Sequence, residues 1–343
     1  MPPSEILLGV VMVVALVLYL LLGGADFGGG VWDLFAFGPR RAAQRRAIEH
    51  AIGPIWEANH VWLILVVVVL FTAFPPAFAA ISTALHIPLT LFLLGVVLRG
   101  SAFAFRSTDP NHQRGQQRWG LAFSLASLVA PVLLGATVGA IASGQIRVEP
   151  GTGVVSGGFL APWLTPFSVT VELYCLALCA FLAATYLTVE VTDPALQEDF
   201  RRRALAAGLA VGACALAAFL TAGRGAPVIR EGLVGRAWAL PFHVATAGVA
   251  VGALGALWGR RFRLARVLAG AQTALILSGW ATAQFPYLLV PDVTIWNVAA
   301  PPRTRALLLG ILAAGVPVLV PSLVLLFRVF KAQRQPEDAS SPH

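Results

Sequence analysis

Long apolar runs dominate this sequence and constrain what it can fold into. The runs hold about twenty residues each, recur along the whole chain, and are long enough to cross the ~30 Å hydrocarbon core of a bilayer. Hydrophobic residues make up 58% of the 343 residues and charged residues 12%, whereas about 25% of a soluble domain is charged. The sequence therefore predicts an all-α polytopic membrane protein with nine transmembrane helices. The predicted spans are residues 5–26, 54–73, 78–98, 119–143, 163–187, 204–222, 238–258, 264–285 and 306–328.

The basic residues predict how these spans are oriented. Loops on one side of the membrane hold eighteen of the 24 lysines and arginines, and loops on the other side hold six. An excess of positive charge marks the cytoplasmic side, so the N-terminus is predicted to lie outside and the C-terminus in the cytoplasm. Because this bias accounts for the net charge of +8, nucleic acid is not an expected partner.

Ionisable residues within the spans are few, and such residues are costly in hydrocarbon and often functional. They are Asp26, Glu57, His60, His86, Glu172 and His243. A helix from Glu5 to Asp26 rises about 31 Å, which places Asp26 near the cytoplasmic boundary. Glu57 and His60 lie about one turn into the second span and share one helix face.

The third span is predicted to end at Arg99, at the same membrane level as Asp26, Glu57 and His60. A carboxylate coupled to a histidine at a wet membrane edge can accept and release protons. The four residues are therefore the candidate site, with proton entry as the predicted role. The structural alternative is that these groups neutralise one another at the boundary.

Five glycines surround Asp26 in LYLLLGGADFGGGVW, residues 18–32. Gly24 and Gly28 form a small-xxx-small pattern that lets helices approach closely. The glycines are also predicted to loosen the helix where it leaves the bilayer.

The remaining candidates leave alternatives open. Glu57 and His60 have the Glu-x-x-His spacing of di-iron bundles, but no second such motif is found, so a metal site is not predicted. Glu172 is either a relay or ligand group, or a protonated acid that bonds across helices. His86 and His243 could in principle bind haem, yet a lone histidine on an apolar helix is more often a packing residue.

Two stretches, GGADFGGGVWDL (residues 23–34) and GPIWEANHVWLI (residues 53–64), resemble the first two helices of subunit II of cytochrome bd-type quinol oxidases. At the exit of the third span, LRGSAFAFR (residues 98–106) contains Arg99 and Arg106, which resemble a basic pair of that family. The predicted span number and orientation are similar to the family's as well.

The sequence predicts a single transmembrane domain, residues 1–332, followed by a cytoplasmic tail, residues 333–343, whose polar composition predicts disorder. The resemblance implies that the transmembrane domain contains two four-helix bundles, about residues 1–145 and 160–286, and a peripheral helix, about residues 304–331. The implied complex lies in the bacterial inner membrane, oxidises quinol and reduces dioxygen to water.

The implied partner is subunit I, which carries two b-type haems and one d-type haem. This chain would bind none of these haems, would have no activity alone, and would help to deliver protons from the cytoplasm. A small single-span accessory subunit and a bound quinone or lipid are further components compatible with the resemblance.

One departure from the family is that the first acid of its D-G-F-D-x-G motif is replaced here by Gly23. Asp26 is then the only acid of that motif, which weakens any role that needs two carboxylates. A secondary transporter with Glu172 in a midplane site and a purely structural subunit are the competing interpretations.

Overall fold

The computed structural model describes residues 3–52, 56–108 and 113–332. These residues form twelve α-helices, a 3₁₀-helix (Ala161–Trp163) and four short strands. The helices are α1 (Ser4–Leu34), α2 (Arg41–Ile52), α3 (Trp56–Ala73), α4 (Pro75–Ala84), α5 (His86–Thr108), α6 (Gln113–Ser143), α7 (Pro166–Glu190), α8 (Pro194–Gly225), α9 (Pro227–Val234), α10 (Ala239–Trp258), α11 (Phe262–Gln284) and α12 (Pro302–Ala332). The all-α prediction is confirmed.

Eight of the described helices are long and apolar enough to span a membrane, and a ninth span results if α3 and α4 are counted together. Those two helices are bent by 118° at their junction, where Pro75 begins α4. A proline is tolerated at the first position of a helix, but it cannot continue the hydrogen bonding of the preceding one. The predicted third span, residues 78–98, is therefore wrong at its start, because the long helix α5 begins at His86.

The largest of four hydrophobic clusters among the described residues joins helices from the two halves of the chain. It includes Tyr19 and Phe27 of α1, Phe181 of α7, Val211 of α8 and Leu257 of α10. Helix α1 packs against α3, α6 and α7, so it lies centrally. The predicted boundaries of two bundles stay a prediction, and the predicted disordered tail lies outside the described residues.

Helix α12 is the least buried of the spans. It packs against α1 and α3, and its Arg305 forms an ion pair with Glu5 near the start of α1. Large apolar side chains such as Leu307 and Ile311, each 68% exposed, cover its free surface. These features agree with the peripheral position expected for the last helix.

Two antiparallel hairpins lie near the end of the molecule at which α1 begins. The hairpins are β1 (Arg147–Val148) with β2 (Val155–Ser156), and β3 (Tyr287–Leu289) with β4 (Val293–Thr294). The Arg147 guanidinium donates to both carboxylate oxygens of Asp292, at 2.8 and 3.0 Å. The backbone N–H of Val148 donates to the same carboxylate at 2.9 Å. Asp292 therefore ties the two hairpins together.

Asp292→Asn is expected to lower thermal stability at neutral pH but not in acid. Hydrogen bonds from Arg147 and Val148 hold the pKa of Asp292 below its ordinary value. A carboxyl whose pKa is lowered by folding stabilises fully above its unfolded pKa of ~3.9, and this stabilisation is lost as the pH falls through the lowered pKa. Melting curves of the purified complex should differ between wild type and variant at pH 7, and the difference should shrink below about pH 4. A difference that grows in acid would contradict this account.

Candidate functional site

The glycine-rich segment of α1 is continuous helix, which runs unbroken from Ser4 to Leu34. The prediction that these glycines loosen the helix at the bilayer edge is therefore wrong. A Cβ added at Gly28 would collide with the backbone carbonyl of Cys179 in α7, and one added at Gly30 would collide with Ser127 in α6. Two helices thus approach α1 more closely than larger residues would permit, which confirms the close-packing prediction at Gly28.

Asp26 lies where α1, α3 and α5 meet. Nδ2 of Asn59 donates a hydrogen bond to Oδ2 of Asp26 over 2.5 Å. The Arg99 guanidinium interacts electrostatically with the same carboxylate. Asp26 is partly buried and Arg99 is 2% exposed. Because Arg99 is buried, the attraction between the two charges is screened less than it would be in water. We call Asp26, Asn59 and Arg99 the polar cluster.

The Arg99 side chain is held from several directions. Its Cζ lies 5.2 Å from the ring centroids of both Phe27 and Phe123, which is within cation–π range. Its Nε donates to Oγ of Ser127 over 3.1 Å. Helix α5 continues beyond Arg99 to Thr108, so the prediction that the span ends at Arg99 is wrong. Arg99 is instead a buried cation inside the helix bundle.

Aromatic rings flank the polar cluster. The His60 ring centroid lies 5.8 Å from that of Tyr19 and 6.2 Å from that of Phe27. Tyr19 is 1% exposed, and its hydroxyl has no hydrogen-bond partner among the described residues. The structure thus brings Asp26, His60 and Arg99 into one region, as the common depth of these residues predicted.

Glu57 belongs to the first turn of α3, which begins at Trp56, but its side chain lies outside the described part of the chain. The neighbouring Asn59 and His60 place this turn beside α1. The predicted coupling of Glu57 to His60 stays a prediction.

Asp33, a buried acid of α1, was missed in the sequence because it lies beyond the predicted first span. Asp33 is 1% exposed and accepts a hydrogen bond from Oγ of Ser124 over 2.7 Å. The Nε of Arg45, in α2, lies 3.7 Å from the Asp33 carboxylate, and the same side chain donates to the Asp33 carbonyl. Asp33 therefore connects α1 to α6 and to the surface helix α2.

The other sequence candidates are Glu172, His86 and His243. Glu172 is 9% exposed, and its Oε1 has no hydrogen-bond partner among the described residues. In His86, Nδ1 is 3.0 Å from the Thr83 carbonyl, and in His243, Nε2 is 2.9 Å from the Leu233 carbonyl. No group of three metal-ligating side chains occurs in the described ranges. Both histidines are exposed and each contacts one nearby carbonyl, so their assignment as packing residues stays a prediction.

Comparison with known proteins connects this arrangement to one family. The profile described as "Cytochrome bd terminal oxidase subunit II" matches residues 4–330. Among curated relatives, "Cytochrome bd ubiquinol oxidase subunit 2" of Bacillus subtilis (strain 168) is 33% identical over 126 residues, which are 37% of this chain and 36% of that protein. A second relative from that strain is 23% identical over 328 residues, 93% of each chain.

One more curated relative and one solved structure are similar to this chain. "Cytochrome bd-I ubiquinol oxidase subunit 2" of Escherichia coli (strain K12) is 28% identical over 176 residues, 51% of this chain and 45% of that protein. A chain of the bd oxidase from Geobacillus thermodenitrificans has the same fold, with a TM-score of 0.78 at 24% identity over 95% of this chain and 98% of that one. With the profile matched over residues 4–330, the chain belongs to the cytochrome bd terminal oxidase subunit II family.

Proposed function

We propose that this chain supports a haem-bearing subunit I in the bacterial inner membrane and contributes a route by which protons enter that complex from the cytoplasm. The complex oxidises quinol and reduces dioxygen to water, a reduction that consumes protons. Family membership supports the assignment to the complex. The observation that carries the proton route is a carboxylate, Asp26, held between Asn59 and Arg99 inside membrane-spanning helices.

The haems of subunit I would supply electron transfer and the reduction of oxygen. The residues of this chain would take up and release protons and would support subunit I by packing against it. The Asp26 carboxylate can take up and release a proton at Oδ1, while Asn59 fixes Oδ2 by its hydrogen bond. Arg99 offsets the cost of a carboxylate in a low-dielectric site. Glu57 and His60, on the same turn of α3, are assigned to the cytoplasmic entrance of this proton route.

The proposal places the N-terminus outside and the C-terminus in the cytoplasm, in accordance with the bias of basic residues. The Asp33 end of α1 and the surface helix α2 then lie on the cytoplasmic side, where protons are taken up. The chain by itself is proposed to be inactive, because the family's haems belong to subunit I. Quinol and dioxygen are the proposed substrates of the complex.

Glu57→Gln is expected to slow oxygen reduction without preventing assembly. Glutamine has nearly the same shape as glutamate but cannot release a proton. The proposed route therefore loses a proton-carrying group at its cytoplasmic entrance. A positioned acid–base group is worth about 10²–10⁴-fold, and we expect the loss to reach roughly 100-fold if no parallel entry exists. Oxygen consumption and proton uptake, each normalised to haem absorbance of the purified complex, measure the effect.

A purely structural subunit gives the opposite pattern in the same experiment. Glu57→Gln would then reduce the yield of haem-containing complex and leave turnover per haem unchanged. Asp193→Asn is the matched control, because Asp193 caps α8 by accepting a hydrogen bond from the Ala195 N–H and asparagine caps helices equally well. Normal turnover and normal proton uptake in Glu57→Gln would contradict the proposed role of Glu57.

A further inference from the structure

We infer that the corner formed by α8 and the α10–α11 turn is a binding site for the headgroup of an anionic phospholipid. Three arginines converge there on one carboxylate. Glu198 contacts Arg201 at 2.8 Å, Arg202 at 3.2 Å and Arg260 at 3.3 Å. One negative charge thus holds three positive charges together, and the corner keeps an excess of positive charge.

The guanidinium groups of this corner remain available to a ligand. The side chains of Arg202 and Arg260 are 75% and 68% exposed, although each contacts Glu198. Arg261, which precedes α11, and Arg263 in its first turn are exposed as well. Arginine presents several N–H donors in a planar fork that matches phosphate oxygens, so a phosphodiester group has complementary charge and geometry here.

The corner also carries an aromatic residue of the kind found at membrane interfaces. Trp258, the last residue of α10, is 75% exposed. Its ring lies 5.9 Å from Cζ of Arg201, and its carbonyl accepts from the same guanidinium at 3.5 Å. Tryptophan is enriched at the level of lipid headgroups because its ring is amphipathic. Trp258 therefore indicates that the arginines lie at headgroup depth.

Exposed apolar side chains continue from the corner along the helices. Leu209 follows Arg202 by two turns on α8 and is 66% exposed. Val251 precedes Trp258 by two turns on α10 and is 70% exposed, and Val267 on α11 is 67% exposed. Two turns rise about 10 Å, so these side chains lie at the depth of acyl chains. A charged headgroup site above an apolar surface fits a phospholipid better than it fits a soluble phosphate.

The backbone of the turn supports a fixed arrangement of the arginines. Arg260 has a positive φ of 56°, in the left-handed region that most residues avoid. Its N–H bonds to the Leu257 carbonyl at 3.2 Å, and the N–H of Arg261 bonds to the Ala256 carbonyl at 2.8 Å. The tight turn brings Arg260 back to Glu198 of α8, so the cations are assembled by the fold.

The test uses the purified oxidase complex, freed of anionic lipid, with native mass spectrometry and thermal unfolding as readouts. Wild type should retain added phosphatidylglycerol and be stabilised by it, whereas phosphatidylcholine and soluble glycerol phosphate should have little effect. An arginine near an anionic surface changes partitioning by a factor of about 5. The triple variant Arg202→Gln, Arg260→Gln, Arg261→Gln should therefore bind roughly 100-fold more weakly. Arg224→Gln with Arg303→Gln, which removes two exposed arginines elsewhere, is the matched control and should bind as wild type does.

Three results would overturn the inference. Equal retention of phosphatidylglycerol by wild type and the triple variant would show that this corner is not the site. Equal stabilisation by glycerol phosphate would assign the corner to a soluble anion. Loss of subunit I from the triple variant, with unchanged lipid content per remaining complex, would assign the corner to a protein interface.

Discussion

Gly28→Ala is expected to lower the yield of assembled complex and the melting temperature of what remains. The added methyl group would meet the Cys179 carbonyl of α7, which is backbone and cannot move without shifting the helix. Overpacking of a tight interior costs about 1–3 kcal/mol, and a helix displacement places this case at the upper end. The cost outweighs the ~1 kcal/mol that alanine contributes to an isolated helix relative to glycine.

Gly9→Ala is the matched control for this prediction. Gly9 lies on the same helix, and a Cβ added there would have nothing within 4 Å. The control should assemble as well as wild type or better, because it gains helix propensity without a collision. Haem absorbance per milligram of purified membrane and a melting curve measure both variants. Equal yields for the two variants would contradict the close approach of α1 and α7.

Asp26→Asn is expected to reduce both turnover per haem and the stability of the complex. Asparagine can still accept the hydrogen bond from Asn59 through its own oxygen, so local shape is kept. It cannot release a proton, and the loss of an acid–base group predicts a fall in turnover of roughly 100-fold. It also leaves the buried Arg99 cation without the Asp26 charge, and breaking a buried pair in this way costs about 3–5 kcal/mol.

Oxygen consumption and haem content should be measured on the same preparation of this variant, because the two losses have different causes. Lower haem content alone, with normal turnover per haem, would limit Asp26 to a structural role. A fall in turnover alone would show that Arg99 has other compensation in the complex.

Much of the fold is predictable from the sequence because the membrane imposes a simple length rule on helices. The apolar runs gave the spans, and the resemblance in residues 23–34 and 53–64 gave the family. A break near Pro75 was predicted, because the second span ends at residue 73 and the third begins at residue 78, but the separate helix α4 between Pro75 and Ala84 was not. Whether a proline ends one span or begins a short surface helix depends on tertiary packing.

The site was predictable only in part, for two physical reasons. Counting residues from the start of a span places Asp26 and His60 at a common depth, and the structure brings them together. The same count cannot show that α5 continues past Arg99, because nine further residues of mixed polarity extend that helix. It also cannot identify partners such as Asn59 and Ser127, whose contacts with Asp26 and Arg99 join residues far apart in the chain.

The glycines around Asp26 illustrate the limit of local rules. Glycine favours loops and weakens isolated helices, and this property suggested a frayed helix end. In the bundle, Gly28 and Gly30 lie inside an unbroken helix and admit α7 and α6. Close packing of helices within a membrane favours small residues. Here this effect outweighs the low helix propensity of glycine. The resulting proximity also lets Ser127 reach Arg99.

The central claim is that the polar cluster carries protons in addition to stabilising the fold. The most direct measurement is proton uptake coupled to oxygen reduction, per haem, by the complex that carries Asp26→Asn together with Arg99→Gln. This pair of changes removes both buried charges, so assembly should recover toward the wild-type level relative to Asp26→Asn alone. The account predicts that proton uptake and turnover per haem nevertheless stay roughly 100-fold below wild type. Recovery of both to the wild-type level, with assembly restored, would contradict it.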